Sequence, residues 1–511
     1  MNKGNVISPV LRNLRPIIIL VMAAFSLCES NCLHAQTISS PDWESPLRTS
    51  LEQMAQTLTN TLKPWPVPDR IFYIEKYGAI ADGTTINTIA IQKAIDACSS
   101  SGGGTVLFSK GDYVTGTIEL KSGVMLQVDN GARLLGSTNL ADYPDKVPQR
   151  KTIMDAWMNL RLSLIYAENC ERIGIRGDGI IDGRGQTNNF PGTATSAALP
   201  GRPFLIRVIE CKKIVIEDIR LRNAASWMEN YLNCDDLILQ HLNVQNQCNW
   251  NNDGFDIDGC HNVIVRDCFI NAEDDAMCFK AAGLRKMENV LVENCHAYTQ
   301  CNSLKFGTDS EADFRNVLVR NIDVGTVPQN LPAFRRRKAL SGISWEAVDE
   351  GTVENILVKQ AHVVDVLSPI FLRLGDRGRT MPDRSKPPVG QLRDIVFDGL
   401  TGSAERSSII SGIPGHTIQQ VAIRDVSLSL PGGGTSEQAA LKLPENPADY
   451  PEVKMFGPVI PASGFWLRHA EQVSFDNIHL TFLKPDARPQ ISIGKDAKNI
   501  WLDGKLLLKT E

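Results

Sequence analysis

Short apolar triplets recur along the middle and C-terminal parts of the chain, separated by polar residues. Each triplet has one apolar residue three positions before its start and another five positions after its start. Eight complete instances begin at Ile214, Val263, Val290, Val317, Ile356, Ile395, Val421 and Val473. Short runs of β-branched residues, bounded by Gly, Asn and Asp, predict β-strands with one face turned toward a core.

The interval between triplets is nearly constant. It is 27 residues from Val263 to Val290 and again from Val290 to Val317, and it is 23 or 26 residues elsewhere. An interval of 39 residues fits one coil with an inserted loop, and an interval of 52 residues fits two coils. Strands repeated in this way predict an all-β fold, a single-stranded parallel β-helix whose coils stack about 4.8 Å apart. We expect this solenoid to span residues 70–511.

Two segments near the N-terminus have a different pattern. Residues 87–99 place Ile91, Ala94, Ile95 and Cys98 on one helical face. A helix of this kind is expected to cap the open end of the solenoid. Residues 36–69 are predicted to be a lead-in with a short helix and a Pro-rich stretch, and no second domain is indicated.

The first 35 residues have the features of a cleaved export signal. Three basic residues precede the apolar run at 16–27, which is too short to span a bilayer comfortably. We expect cleavage after Ala35 and export to a periplasm or the cell exterior. A lipoprotein site at Cys28 or Cys32 is the alternative, although neither Cys follows a small residue.

Composition and charge narrow the class of protein. The 511 residues are 42% hydrophobic and 22% charged, which is typical of a globular protein and not of a disordered one. The formal net charge of −5 argues against a general nucleic-acid or anionic-membrane binder, because those partners attract surfaces rich in Lys and Arg. We therefore expect no nucleic acid partner and no membrane contact after signal cleavage.

Cysteines occupy equivalent positions in successive repeats. Cys170, Cys211, Cys234 and Cys260 each stand three residues before a triplet. We interpret them as small hydrophobic residues in one interior column. Disulfides are compatible with an exported protein, but the sequence predicts no pairing.

Carboxylates are concentrated at residues 251–259 and 273–275. Crowded carboxylates repel one another, so the pKa of at least one should rise. That suits a pair in which one group donates a proton and another deprotonates water, as in glycoside hydrolysis. Two other interpretations are a calcium site and a simple preference of Asp for turns, and we favour the turn interpretation for Asp256 and Asp258.

The 27-residue interval predicts which of these residues are neighbours on adjacent coils. Counting in steps of 27 aligns Asp275 with Asn302, Asp253 with Lys280 and Gly307, and Asn251 with Cys278 and Lys305. We expect the carboxylates and both lysines to lie in one region that spans three coils.

At these residues the chain resembles glycoside hydrolase family 28, the polygalacturonase family, from about residue 74 to the C-terminus. Residues 78–83 (GAIADG) and 179–185 (GIIDGRG) are similar to two of its motifs. Residues 251–254 (NNDG) match its N-T-D-G motif except that Asn252 replaces Thr, and residues 274–275 match its D-D motif.

The resemblance implies a right-handed parallel β-helix and inverting hydrolysis of α-linked pectic chains without a cofactor or metal. It also implies roles for three residues. Asp274 would be the general acid, and Asp253 with Asp275 would position and activate the water.

Two departures from the family concern substrate binding. The family's G-H-G motif falls at residues 301–303, where Asn302 replaces the titratable His. Its basic R-I-K motif falls near residues 342–347 (GISWEA), where no cation is present and Glu346 would repel a uronate.

Other side chains are candidates to replace the missing cations. Lys280, Lys305 and the basic run from Arg335 to Lys338 are available, and Lys305 is favoured by its column position. Trp345 is a candidate either for stacking on a sugar ring or for packing in the core. The candidate substrate-binding residues are Asn251, Asn302, Lys280, Lys305, Trp345 and Glu346.

The sequence thus predicts an exported, monomeric, inverting glycoside hydrolase. Its expected substrate is a pectic polysaccharide of the plant cell wall or an oligosaccharide derived from it, with rhamnogalacturonan and neutral glycans left open. Loop insertions between residues 317 and 395 are expected to close one end of the groove and to favour exo-action. The alternatives are a polysaccharide lyase using Lys280 or Lys305 as base, and a non-catalytic glycan-binding solenoid.

Overall fold

The apolar triplets form parallel strands that stack in register, coil on coil. In the computed structural model, Val263 pairs with Val290, Val290 with Val317, and Val317 with Ile356. The structure describes residues 42–149, 161–193, 201–282, 285–379, 385–494 and 496–507. The all-β parallel β-helix predicted from the repeat is confirmed.

The described residues contain 34 strands. In chain order they are β1 Ile71–Tyr73, β2 Asp82–Ile86, β3 Gly104–Phe108, β4 Gly111–Thr115, β5 Ile118–Glu119, β6 Val124–Val128, β7 Ala132–Gly136, β8 Ser163–Glu168, β9 Glu171–Arg176, β10 Ile180–Asp182, β11 Phe204–Ile209, β12 Lys212–Glu217, β13 Arg220–Arg222, β14 Glu229–Leu232, β15 Asp235–Gln240, β16 Asn243–Asn246, β17 Phe255–Asp258, β18 His261–Arg266, β19 Phe269–Ala272, β20 Met277–Ala281, β21 Met287–Thr299, β22 Asn302–Ser310, β23 Phe314–Thr326, β24 Ser341–Ala347, β25 Thr352–Val366, β26 Ser368–Leu374, β27 Gln391–Ala404, β28 Ser408–Ser411, β29 Ile418–Gly432, β30 Phe465–Arg468, β31 Ala470–Lys484, β32 Ile491–Ile493, β33 Lys498–Leu502 and β34 Lys505–Leu506.

These strands form two sheets of 22 and 12 strands. We call the smaller one the groove sheet; it consists of β5, β8, β11, β14, β17, β20, β22, β24, β26, β28, β30 and β32. The described helices are α1 (Glu44–Thr61), α2 (Thr88–Ser100) and α3 (Ser436–Ala439), with short 3₁₀ helices at Ile74–Tyr77, Leu140–Asp142 and Val453–Phe456.

Helix α2 is the predicted cap. Its buried face consists of Ile91, Ala94, Ile95 and Cys98, as the sequence pattern predicts. These side chains join the main core of the solenoid. Capping hides the first coil's apolar interior from water, which a terminal repeat requires.

Helix α1, in the predicted lead-in, lies on the outer side of the larger sheet. Its residues Leu51, Ala55 and Leu58 are buried against the middle residues of six successive triplets. Those residues are Ile264, Leu291, Leu318, Leu357, Val396 and Ala422. The middle positions of the triplets are apolar, although they point away from the interior, because α1 covers them.

The interior contains aligned columns of like residues. Cys170, Cys211, Cys234 and Cys260 lie in one column, and the backbone N–H of Cys234 donates to the Sγ of Cys260 at 3.3 Å. All ten described cysteines are free thiols. The interpretation of this column as small hydrophobic residues fits its burial.

The described residues belong to one compact unit. In the part of the chain that the structure describes, no helix combines the length and hydropathy needed to cross a membrane. The predicted export signal at residues 1–35 lies outside the described residues.

Candidate active site

Asp253, Asp275 and Asn302 stand side by side at the starts of three neighbouring strands of the groove sheet. The N–H of Gly254 donates to the carbonyl of Asp275 at 2.9 Å, and the N–H of Ala276 donates to the carbonyl of Asn302 at 3.0 Å. These ladder bonds hold the three side chains about 4.8 Å apart along the helix axis. The predicted neighbourhood of Asp275 and Asn302 is confirmed.

Two other predicted alignments are wrong. Lys280 pairs with Asp258 rather than with Asp253, and Cys278 pairs with Asp256 rather than with Asn251. The reason is that one coil advances by 22 residues in the groove sheet but by 27 in the larger sheet, because its extra residues lie in a turn. The alignment of Cys278 with Lys305 is confirmed, as is that of Asp275 with Asn302.

Asp275 is buried among hydrogen-bond donors. Its Oδ1 accepts from Asn302 Nδ2 at 2.8 Å and its Oδ2 accepts from Lys305 Nζ at 2.9 Å. Burial by itself would raise the pKa of Asp275, but the charges of Lys305 and Lys280 outweigh it and hold the pKa below its ordinary value. Asp275 is therefore ionised and can act as a base.

The pKa of Asp274 is shifted in the opposite direction. Asp274 is only half-buried, so it faces the groove, and its Oδ2 accepts from Asn251 Nδ2 at 3.3 Å. Burial of the carboxyl, followed by the negative charge of Asp275, raises the pKa of Asp274. Two adjacent carboxyls whose pKa values are pushed apart have the properties of a general acid and a general base.

Asp253 completes the group of three carboxylates. It is buried, and among the described residues its Oδ1 has no hydrogen-bond partner. Burial and then the charges of Asp256 and Asp274 raise its pKa well above the ordinary value. An unpartnered carboxyl oxygen next to Asp275 can hold a water molecule between the two groups.

Both lysines are buried and paired with carboxylates. Lys280 Nζ lies 3.2 Å from Asp256 Oδ1, and Lys305 Nζ lies 3.7 Å from Glu346 Oε2 in addition to its contact with Asp275. Their charges therefore stabilise carboxylates of the site. Neither ammonium group is a freely available replacement for the family's basic motif.

The basic run is also engaged. Arg335 forms an ion pair with Glu273, and its guanidinium lies 3.4 Å from the centroid of the Trp250 ring. Lys338 Nζ lies 2.6 Å from an oxygen of Asp365. These contacts fix the loop that borders the site.

The interpretation of Trp345 as a sugar-stacking residue is wrong. Its ring is completely buried and stacks on Phe306 in the core, with centroids 4.7 Å apart. Its neighbour Glu346 points to the outer side of the groove sheet but is also fully buried. Burial raises the pKa of Glu346 to about 7, against the opposing charge of Lys305.

Two residues near the carboxylates were not found from the sequence. Arg202 Nη2 donates to Asn251 Oδ1 at 2.9 Å, and its charge interacts with Asp253 and Asp274. Tyr450 comes from a distant loop, and its hydroxyl accepts from Lys305 Nζ at 3.1 Å. Both lie outside the triplet pattern, so the repeat carries no signal for either.

Asp274, Asp275 and Cys301 could in principle hold a metal ion, since their ligand atoms all lie within 4.8 Å of one another. The donor set does not match calcium, which takes about six to eight oxygen ligands. Burial raises the pKa of Cys301 well above its ordinary value and keeps its thiol protonated. The group fits acid–base chemistry better than metal binding.

A parallel β-helix whose neighbouring carboxyls have the properties of a proton donor and a base is suited to glycoside hydrolysis. Residues 98–446 match the sequence model of glycosyl hydrolases family 28. The chain belongs to this family and is a polygalacturonase-type glycoside hydrolase.

Individual relatives agree with this assignment. A probable polygalacturonase from Vitis vinifera is 30% identical over 377 residues, covering 69% of this chain and 73% of that protein. An exo-poly-alpha-D-galacturonosidase from Dickeya chrysanthemi is 28% identical over 368 residues, covering 62% of this chain and 59% of that protein. The exopolygalacturonase structure from Thermotoga maritima has the same fold, with a TM-score of 0.66 at 17% identity over 84% of this chain and 96% of that one.

Proposed function

We propose that the protein is an exported, inverting hydrolase of α-glycosidic bonds in pectic chains. The observation that carries this proposal is a pair of adjacent carboxyls with opposite properties. The pKa of Asp274 is raised, and the pKa of Asp275 is lowered. Export rests on the signal-like pattern of residues 1–35, and the pectic substrate rests on the family.

In the proposed mechanism, protonated Asp274 donates its proton to the glycosidic oxygen as the bond to the anomeric carbon breaks. Ionised Asp275, with Asp253, holds a water molecule and removes its proton as the water oxygen bonds to the anomeric carbon. Attack from the face opposite the leaving group inverts the anomeric configuration. The inversion rests on the family and not on the spacing of the carboxyls, because oxygens of Asp274 and Asp275 lie within 4.8 Å of each other, closer than the roughly 6.5–9.5 Å usual for an inverting pair. Lys305 and Asn302 keep Asp275 ionised and oriented during this step.

The pairing of both lysines bears on the substrate. Because Lys280 and Lys305 already neutralise carboxylates, and Glu346 replaces a family cation, Arg202 is the cation that remains beside the carboxylates for a uronate, and little positive charge is left for a second one. We propose that one of the two sugars at the cleaved bond is uncharged, as in the alternating galacturonate and rhamnose of rhamnogalacturonan. The other sugar is the galacturonate expected of a pectic chain.

A lyase is less well supported by the site. A lyase needs an unprotonated base and a cation that neutralises the uronate. Lys280 and Lys305 are the candidates for both roles. Despite burial their pKa values lie well above the ordinary value, that of Lys280 through Cys278 and Asp256 and that of Lys305 through Asp275 and Glu346. A non-catalytic solenoid has no need for three crowded carboxylates that repel one another.

The test is a product assay on homogalacturonan, rhamnogalacturonan and neutral oligosaccharides. The wild type should release saturated sugar whose first-formed anomer, followed by proton NMR, is inverted. Asp274→Asn should lower kcat by about 1,000-fold, while Asp267→Asn, at an exposed position, should not change it. An ultraviolet-absorbing unsaturated product would identify a lyase, and a retained anomer would contradict the proposed mechanism.

A further inference from the structure

The connection between β29 and β30, residues 433–464, crosses the outer face of the groove sheet; we call it the closing loop. Its residues Val453, Phe456, Ile460 and Ala462 are buried. They pack against Leu340, Leu367, Phe371, Ile409 and Trp466. The loop is thus an integral, packed part of the fold.

The surface that carries the catalytic group (Asp253, Asp274 and Asp275) continues toward the C-terminal coils, and the closing loop lies on that continuation. Lys305 pairs with Ser344, Ser344 with Phe371, and Phe371 with Ile409, so these side chains form one outward row. The loop covers this row from Phe371 onward. Phe371 is two coils beyond Lys305, a distance of roughly 10 Å.

Two buried arginines fix the closing loop to the sheet. Arg373 Nη2 donates to the carbonyls of Glu445 and Asn446, both at 2.8 Å. Arg468 Nη2 donates to the carbonyl of Pro444 at 2.7 Å. Hydrogen bonds from a charged donor are stronger than neutral ones, so they hold the loop against the sheet.

Tyr450 forms the edge of the closing loop that faces the catalytic group. Its side chain is 57% exposed, whereas its hydroxyl contacts the buried Lys305. Lys305 in turn contacts Asp275. Only one side chain therefore separates the edge of the loop from the catalytic base.

We propose that the closing loop ends the substrate groove on its C-terminal side, so that the enzyme accepts a chain end and releases one or two sugar rings. Tyr450 is the specificity-determining residue against which the terminal ring rests. A groove that is blocked roughly 10 Å from the catalytic group has no room for a longer segment on that side. This inference rests on the proposed hydrolase function.

The loops expected from the sequence to close the groove lay between residues 317 and 395. That expectation stays a prediction, and the structure places a further covering segment at residues 433–464.

The experiment uses the substrate that the product assay above identifies. It follows the first products released from the polymer and from a series of end-labelled oligosaccharides of increasing length. The wild type should release products of one or two rings from the first time point, and viscosity should fall slowly as reducing ends accumulate. Products of three or more rings at early time points would overturn the inference while leaving the hydrolase intact. If no substrate is hydrolysed, the proposed function itself fails.

Variants of Tyr450 test its role separately from the fold. Tyr450→Ala should raise KM about tenfold, the equivalent of one lost stacking contact, and should shift the products from one ring toward two, because the packed loop beyond Tyr450 still ends the groove. Tyr450→Phe retains the ring and should keep the wild-type product lengths. Leu483→Ala, at a position that is 78% exposed in β31, is the matched control and should change neither. Wild-type KM and product lengths in Tyr450→Ala would overturn the role of Tyr450.

Discussion

Lys305 Nζ lies 2.9 Å from Asp275 Oδ2, and both side chains are almost completely buried. The charge of the lysine is the largest influence that lowers the pKa of Asp275 against the cost of burial. The pair therefore links the stability of the groove sheet to the protonation state of the catalytic base.

Lys305→Met should lower activity by roughly 100-fold at acidic pH, because Asp275 loses the charge that keeps it ionised. A base acts only above its pKa, so a raised pKa moves the ascending limb of the kcat/KM profile to higher pH. The measurement is a pH–rate profile of wild type and variant. An ascending limb at its wild-type position would contradict this role.

Lys280→Met is the comparison variant for that experiment. Its ammonium group forms an ion pair with Asp256, and its charge lowers the pKa of Asp275 less than the charge of Lys305 does. Both variants leave a buried carboxylate without its partner and should lower the free energy of unfolding by about 3 kcal/mol or more. Only Lys305→Met should shift the ascending limb strongly.

Arg202→Ala should lower kcat by roughly tenfold, because the guanidinium holds the Asn251 amide that donates to Asp274. Asn251→Ala should have a similar effect. If both act through Asp274, the double variant should be no slower than the slower single variant. If the losses in kcat of the two single variants multiply in the double variant, Arg202 acts by another route.

Glu229→Gln should make the protein more stable at alkaline pH. Burial raises the pKa of Glu229 from 4.5 to about 8, and Tyr231 donates to its Oε1 at 2.6 Å. The stability that the protonated carboxyl contributes is complete below the unfolded pKa and is lost as pH rises toward the folded pKa. The Gln variant should therefore exceed wild type by up to about 5 kcal/mol at pH 9, which is the free-energy equivalent of a pKa that moves from 4.5 to about 8.

Denaturant unfolding at pH 4 and pH 9 measures this difference. Glu350→Gln, at an exposed position, is the control and should show no pH-dependent gain. An equal stability difference at both pH values would mean that Glu229 does not titrate between them.

Leu51→Ala should lower the free energy of unfolding by about 2–4 kcal/mol, because it opens a cavity between α1 and the triplets it covers. Because α1 lies on the larger sheet rather than on the groove sheet, kcat/KM should stay at the wild-type value. Gln53→Ala, on the exposed side of α1, is the control. If Leu51→Ala lowered kcat/KM as well as stability, α1 would contribute to activity.

The repeat pattern was enough to predict the solenoid and its capping helix α2, and it located the candidate catalytic carboxylates. The triplets repeat with a period long enough to close a coil, and their apolar positions fix which residues face inward. The alignment of Asp275 with Asn302 was predictable because the intervening coil advances by 27 residues in both sheets. The core position of Trp345 was also encoded, since Phe279, Phe306 and Trp345 align in one inward column.

The partners of the lysines and the extent of the groove could be read only from the folded structure. The coil from Asp256 to Cys278 is short in the groove sheet because its extra residues lie in a turn, and an interval between triplets does not say where in the coil extra residues lie. Arg202 and Tyr450 reach the site from segments outside the repeat. Contacts of this kind depend on how loops fold back over the sheet, which periodicity along the chain does not specify.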